Sequence, residues 1–106
     1  MRAAGQELIL AITGASGAAV GVRLLEVLSE RGEAVHLIIS QGAETVIREE
    51  TARAIGDLKA LATFYHAAQD VAAPLASGSY VSPNVRAMIV APCSMKTLAS
   101  IASGFA

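Results

Sequence analysis

The feature that most constrains the fold is an apolar run that ends in glycine. Leu8-Ile9-Leu10-Ala11-Ile12 leads into Thr13-Gly14-Ala15-Ser16-Gly17, and helical spacing takes over directly afterwards. A short apolar run without polar alternation reads as a strand buried on both faces, the pattern of a parallel sheet. Val20, Leu24, Val27, Leu28 and Arg31 then recur at helical spacing, and Gly32 stands where a helix C-terminus takes a left-handed residue. The unit is strand, glycine turn, helix. Ala34-Val35-His36-Leu37-Ile38-Ile39 repeats the strand, and Ser40 can cap a second helix that runs to about Arg53, with Glu44, Glu49 and Glu50 on its solvent side.

Farther on the pattern weakens. Leu58, Leu61 and Ala62 suggest a helical turn, but Pro74, Gly78 and Pro83 break the sequence around them, so 54–85 is expected to be mostly irregular. Arg86-Ala87-Met88-Ile89-Val90-Ala91 reads as a third buried strand, closed by Pro92-Cys93-Ser94, and Leu98, Ile101, Ala102 and Phe105 mark one face of a further helix. Alternating strands and helices imply an α/β fold, a doubly wound parallel sheet with right-handed crossovers. Such sheets usually need about five or six strands to close their core. Residues 1–106 are therefore expected to be a single domain that is incomplete or leans on other subunits.

Composition supports that dependence. Hydrophobic residues make up 54% of the 106 residues and charged residues 16%, where a soluble domain averages about 25% charged. Gly, Ser, Arg or Glu interrupts every apolar run well short of the roughly 20 residues of a membrane span, and no apolar leader follows Met1-Arg2. The expectation is a cytoplasmic chain with no membrane contact. A net charge of -1 argues against nucleic-acid binding by phosphate neutralisation. Cys93 is the single cysteine, without Cys or His at ligand spacing, so it reads as a packing residue and no metal is expected. Every carboxylate precedes residue 71, and only Arg86 and Lys96 carry charge after it. That stretch suits burial between subunits or the approach of an anion.

Ligands of open parallel sheets bind beyond the carboxyl ends of the strands. There the chain offers Thr13-Gly14-Ala15-Ser16-Gly17, Ser40-Gln41-Gly42 and Cys93-Ser94-Met95-Lys96-Thr97. Glycines permit close backbone approach, helix-start amides point outward, and hydroxyls donate further bonds, all of which suit a phosphate. Taken singly, each serine is also an ordinary N-cap and each glycine an ordinary turn. Gly14, Gly17 and Gly21 do not form G-x-G-x-x-G, and no acid ends the second strand, so a dinucleotide fingerprint fits poorly. A reductase with a Thr-Gly-x-x-Gly loop stays open, weakened by Ser40-Gln41. Walker A and nucleophile-elbow patterns are absent.

Together, Ile12-Thr13-Gly14-Ala15-Ser16-Gly17, Gly21-Val22-Arg23-Leu24-Leu25, Ser40, Ala76-Ser77-Gly78-Ser79 and Pro92-Cys93-Ser94-Met95-Lys96-Thr97-Leu98 resemble the UbiX-type flavin prenyltransferases over nearly the whole chain. Flavin-dependent cysteine decarboxylases share that fold, but their third-strand loop resembles Pro-Ala-Ser-Ala-Asn rather than Pro92-Cys93-Ser94-Met95-Lys96. The resemblance implies a Rossmann-like flavoprotein domain, truncated after its third or fourth βα unit. It implies transfer of a dimethylallyl group from dimethylallyl phosphate to reduced FMN, yielding prenylated FMN for a UbiD-like decarboxylase, as in ubiquinone biosynthesis. A homo-oligomer, dodecameric or trimer-based, and no metal are implied as well.

Carried over residue by residue, the resemblance places Gly14, Ala15 and Ser16 on the flavin and Ser40 at its phosphate end. Ser94, Met95, Lys96 and Thr97 would meet its phosphate and ribityl region. Ser16 is the implied catalytic contributor, through hydrogen bonding rather than as a nucleophile, because no His or carboxylate stands beside it in sequence to activate it. The family carries an arginine, basic residues, a tyrosine and a glutamate in a second half, so this chain alone is expected to show little prenyl transfer. The alternatives are a non-catalytic flavin- or nucleotide-binding module and a related flavin-dependent decarboxylase. Among the remaining residues, His36 reads as structural, His66 as a candidate ligand contact near Tyr65 and Asp70, and Arg23 as a solvated or ion-paired residue. Ala76-Ser77-Gly78-Ser79 suits either a pocket lining or a turn.

Overall fold

The first apolar run forms strand β1, Glu7–Ile12, and the second forms β2, Ala34–Ile39. The computed structural model describes residues 6–14, 16–67 and 85–92. Between the two strands lies α1, Ala18–Glu30. After β2 come α2, Gln41–Glu50, α3, Ile55–Leu61, β3, Phe64–Ala67, and β4, Val85–Val90. The four strands form one parallel sheet in the order β3-β2-β1-β4. The chain moves outward from β1 through β2 to β3, then returns to the other side of β1 with β4, as doubly wound sheets do.

Both central strands are buried along nearly their whole length, as their unbroken apolar runs imply. Leu10, Ile12, Val35, Leu37 and Ile39 turn to one face and pack with Val22 and Leu25 of α1, Ala43 and Ile47 of α2, and Leu58 of α3. All three described helices share this core. On the opposite face, Ile9, Ala11 and Ile38 form a smaller cluster flanked by Val85 and Val90.

Helix ends follow the local chemistry. Gly17 precedes α1 at φ 98° and Gly32 follows it at φ 73°, both in the left-handed region that glycine enters without a Cβ penalty. Ser40 caps α2 by accepting the Ala43 N–H at 3.1 Å.

Several details differ from the sequence reading. The buried stripe of α1 is Ala18, Gly21, Val22 and Leu25, while Val20 is 64% exposed. Alanine and glycine contribute little to a hydrophobic pattern, yet close packing selects them because the sheet approaches the helix so nearly. Helix α2 stops at Glu50 rather than near Arg53, and the Thr51 hydroxyl donates to the Ile47 carbonyl at its end. The segment expected to be irregular contains α3 and the whole of β3. A four-residue strand is too short for a periodic signal; pairing with β2 makes it a strand.

β4 is less buried than expected, since Arg86, Ala87 and Met88 are exposed. It pairs with β1 on one side, and no strand pairs with its other edge among the described residues. The expected helix after Cys93 lies outside the described residues. No described helix is long and apolar enough to cross a membrane.

Candidate functional site

The carboxyl ends of β1, β2 and β4 meet at the point where the chain reverses its order across the sheet. Glycine makes the approach possible. A Cβ on Gly14 would lie 3.1 Å from the Gly42 carbonyl carbon, so the first loop rests against the start of α2. A Cβ on Gly21 would lie 2.1 Å from the Ala91 carbonyl oxygen, so α1 crosses directly over the end of β4. Backbone bonds complete the seam: the Ser40 N–H donates to the Ile12 carbonyl, and the Ala91 N–H to the Ala11 carbonyl, each at 3.0 Å. The buried Thr13 hydroxyl donates to the Pro92 carbonyl, joining the first loop to the third.

Gly14 and Ser16 are exposed on this edge, with Ser40 half-buried beside them. The Ser40 hydroxyl accepts from α2, a role that leaves its proton to donate outward. Ala15 and the group Ser94, Met95, Lys96 and Thr97 lie outside the described residues, as do Cys93 and Ala76-Ser77-Gly78-Ser79.

One residue changes the chemistry expected here. Glu50, assigned from sequence to the solvent face of its helix, reaches the first loop. Its Oε1 accepts the N–H groups of Gly17 at 3.1 Å and Ala18 at 3.2 Å, and its Oε2 lies 3.5 Å from the Ser16 hydroxyl. Helix α1 has no acid in its first turn and no side-chain cap of its own. A carboxylate at a helix N-terminus satisfies free amides and complements the positive end of the macrodipole. Ser16 therefore does have a carboxylate beside it. The sequence signal was faint, because 34 residues separate the pair and the glutamate sits among other acids.

His36 and His66 belong elsewhere. His36 is 2% exposed and bridges Glu7 and His66 on the second face of the sheet. Arg23 pairs with Glu26 at 3.3 Å on the surface of α1. Among the described residues no three His, Cys, Asp or Glu side chains are grouped to hold a metal.

The described residues thus offer small residues, hydroxyls and one carboxylate at a single exposed sheet edge, and the helix-start amides expected to be free there are taken up by Glu50 and Ser40. Comparison with known proteins gives that edge a context. The family model described as Flavoprotein matches residues 2–106. The flavin prenyltransferase UbiX of Methanocaldococcus jannaschii is 48% identical over 99 residues, covering 93% of this chain and 52% of that protein. UbiX of Neisseria meningitidis is 45% identical over 100 residues, covering 94% of this chain and 51% of its own length.

Among solved structures, a UbiX in complex with FMN and dimethylallyl pyrophosphate superposes with a TM-score of 0.84 at 43% identity, over 94% of this chain and 52% of that one. A dodecameric FMN-dependent UbiX-like decarboxylase from Escherichia coli O157:H7 also has a TM-score of 0.84, at 46% identity, over 94% of this chain and 54% of that one. The chain spans about half the length of the curated relatives it matches. A match that runs from the glycine loop through all four strands leaves no doubt of kinship: the chain belongs to the Flavoprotein family.

Proposed function

We propose that this chain is the flavin-binding half of a flavin prenyltransferase, which moves the dimethylallyl group of dimethylallyl phosphate onto reduced FMN. The carrying observation is the convergence of the Thr13–Gly17 loop, Ser40 and Pro92 at one sheet edge, with the Ser16–Glu50 pair among them. The UbiX structure that holds FMN and dimethylallyl pyrophosphate supports the choice of ligands.

The donor set fits FMN. The Ser16 and Ser40 hydroxyls offer it directional bonds, whereas the amides of Gly17 and Ala18 are already taken by Glu50. Bound reduced FMN would supply the electron-rich ring that accepts the prenyl group. The protein's own residues bind and orient it. Gly14, Ala15 and Ser16 would line the flavin and Ser40 its phosphate end, with Ser94, Met95, Lys96 and Thr97 on the phosphate and ribityl region. By donating to Glu50, the Ser16 hydroxyl keeps lone pairs to accept from a ring N–H. Glu50 thereby sets the direction in which Ser16 acts, and its carboxylate can take up or return a proton there.

The proposal extends to delivery of prenylated FMN to a UbiD-like decarboxylase in the cytoplasm, and to a homo-oligomer, dodecameric or trimer-based. Exposed Val20 and Met88 and the dodecameric neighbour support assembly.

Titration with FMN, followed by quenching of flavin fluorescence, tests the core of the reading. Saturable quenching that Ser16→Ala weakens by about fivefold, the worth of one hydrogen bond, is expected. Absence of quenching, or preference for a pyridine nucleotide, refutes it. The matched relatives are about twice as long. Turnover of reduced FMN and dimethylallyl phosphate by the 106 residues alone is accordingly expected to be slight, and full turnover would overturn the division into halves.

A further inference from the structure

The second face of the sheet carries a polar string apart from the Ser16, Ser40 and Glu50 edge. His36, in the middle of β2, is 2% exposed. Its Nε2 lies 2.9 Å from Glu7 Oε1 on β1, and its Nδ1 lies 2.9 Å from His66 Nε2 on β3. The two imidazoles are within 16° of parallel with centroids 5.2 Å apart, and Phe64 stacks on His36 at 4.4 Å. The string thus ties three adjacent strands together. Its far end holds β3, a four-residue strand paired on one side, to β2, among the described residues.

Donor and acceptor chemistry limits how many protons the string can carry. An ionised Glu7 only accepts, so His36 Nε2 bears a hydrogen. If His36 is neutral, its Nδ1 accepts and His66 Nε2 must donate. If His36 is charged, both its nitrogens donate and His66 Nε2 must accept. Either way a single hydrogen lies between the rings. Charging both rings would set two N–H groups against each other across 2.9 Å, with no acceptor between them.

We propose that Glu7, His36 and His66 form a proton-limited latch, in which the histidine pair holds one added proton and a second one releases β3 from β2. Among the described residues, Glu7 on β1 and His66 itself on β3 are ionisable groups that face His36. The register partners of His36, Ile9 and Phe64, carry no charge. Arg86 of β4 and Glu33 before β2 pair with each other at 3.3 Å at the same end of the sheet.

The sign follows from proton counts. Once β3 has left β2, the two separated imidazoles can bind two protons, and the latched pair binds one. Stability of the latched state therefore falls with acidification, as the opened pair takes up its second proton. A difference of one proton changes the opening equilibrium by up to about tenfold per pH unit. Thr63 holds the start of β3 without titrating: its hydroxyl accepts the Val35 N–H and its own N–H donates to the Val35 carbonyl, each at 3.0 Å. Among the described residues, opening thus begins after Thr63.

Amide hydrogen exchange across pH 7.5 to 5, corrected for intrinsic rates, reads the latch in the intact protein. Protection of the β3 amides is expected to fall by up to about tenfold per pH unit at the acid end while β1 keeps its protection. His66→Phe, which keeps an aromatic ring and removes the proton site, should abolish the pH step. An unchanged step in that variant overturns the proposal. Should the variant fold poorly, imidazole nitrogen NMR of the wild type decides: one N–H between the rings throughout supports the latch, and two fully charged rings with β3 still protected refute it.

Discussion

On the helical face of the sheet, Leu10, Ile12, Leu37 and Ile39 meet Leu25, Ile47 and Leu58, each at most 2% exposed. On the other face, Ile9, Ala11 and Ile38 share the surface with the Glu7–His36–His66 string. The first face is held by volume, and nothing in its aliphatic contacts depends on pH. The second adds directional contacts that exist only for particular protonation states. One strand, β2, contributes to both faces in alternation, so the same six residues serve a permanent core and a conditional one. Leu25→Ala should therefore show the largest effect, a loss of about 2–5 kcal/mol from the missing side chain and the cavity left behind. Denaturant midpoints at pH 7.5 and 5.5 check it. The loss should be the same at both, and a strongly pH-dependent loss would break the contrast between the faces.

Next in size is the contact that closes the site edge. Gly21→Ala places a methyl 2.1 Å from the Ala91 oxygen, an overlap that backbone must relieve. A cost of about 1–3 kcal/mol is expected, with weakened flavin affinity because β4 shifts away from the first loop. Gly32→Ala serves as the control, since Gly32 has no atom within 4 Å of a new Cβ and only its left-handed backbone to lose. That change should cost about 1–2 kcal/mol and leave flavin affinity alone. Equal effects of the two variants on binding would show that the Gly21 contact does not shape the site.

These two glycines also show what was legible from sequence. Gly32 announces itself, because a left-handed stop after a helix is a local requirement written in local order. Gly21 does not, since its reason is a carbonyl 70 residues farther along the chain, delivered only when β4 docks beside β1. The same division runs through the fold. β1 and β2 were readable because burial on both faces leaves an unbroken apolar run, whereas β3 owes its strand geometry to β2. The site divides likewise: the glycine loop and the capping role of Ser40 are local patterns, but the Ser16–Glu50 contact arises from packing α2 against the start of α1. Residues of one charge in a row look alike in sequence, and only tertiary geometry singles out Glu50 from Glu49.

Glu50→Gln sharpens that last point. It preserves an acceptor and removes the charge that complements α1, so thermal unfolding should register a loss of about 0.3–1 kcal/mol. Its effect on Ser16 should appear in flavin binding as well. If affinity and stability both match the wild type, the carboxylate neither caps α1 nor orients Ser16.

The smallest effect belongs to the surface of the helical side, where Arg53 and Arg23 flank Glu26. The hydrogen bond from Arg53, followed by that from Arg23, holds the Glu26 carboxyl below its usual range. The pairing therefore adds stability when pH is above the ordinary carboxylate value, and that contribution disappears as pH falls through the lowered one. Arg53→Ala should move the Glu26 titration upward, a change visible in its side-chain carboxyl NMR shift and diminished by salt. It should leave the pH at which β3 loses protection untouched, because that opening belongs to imidazoles on the other face. Coincident shifts in both titrations would mean that the two faces exchange protons through the sheet, and the division between a pH-indifferent core and a conditional one would fail.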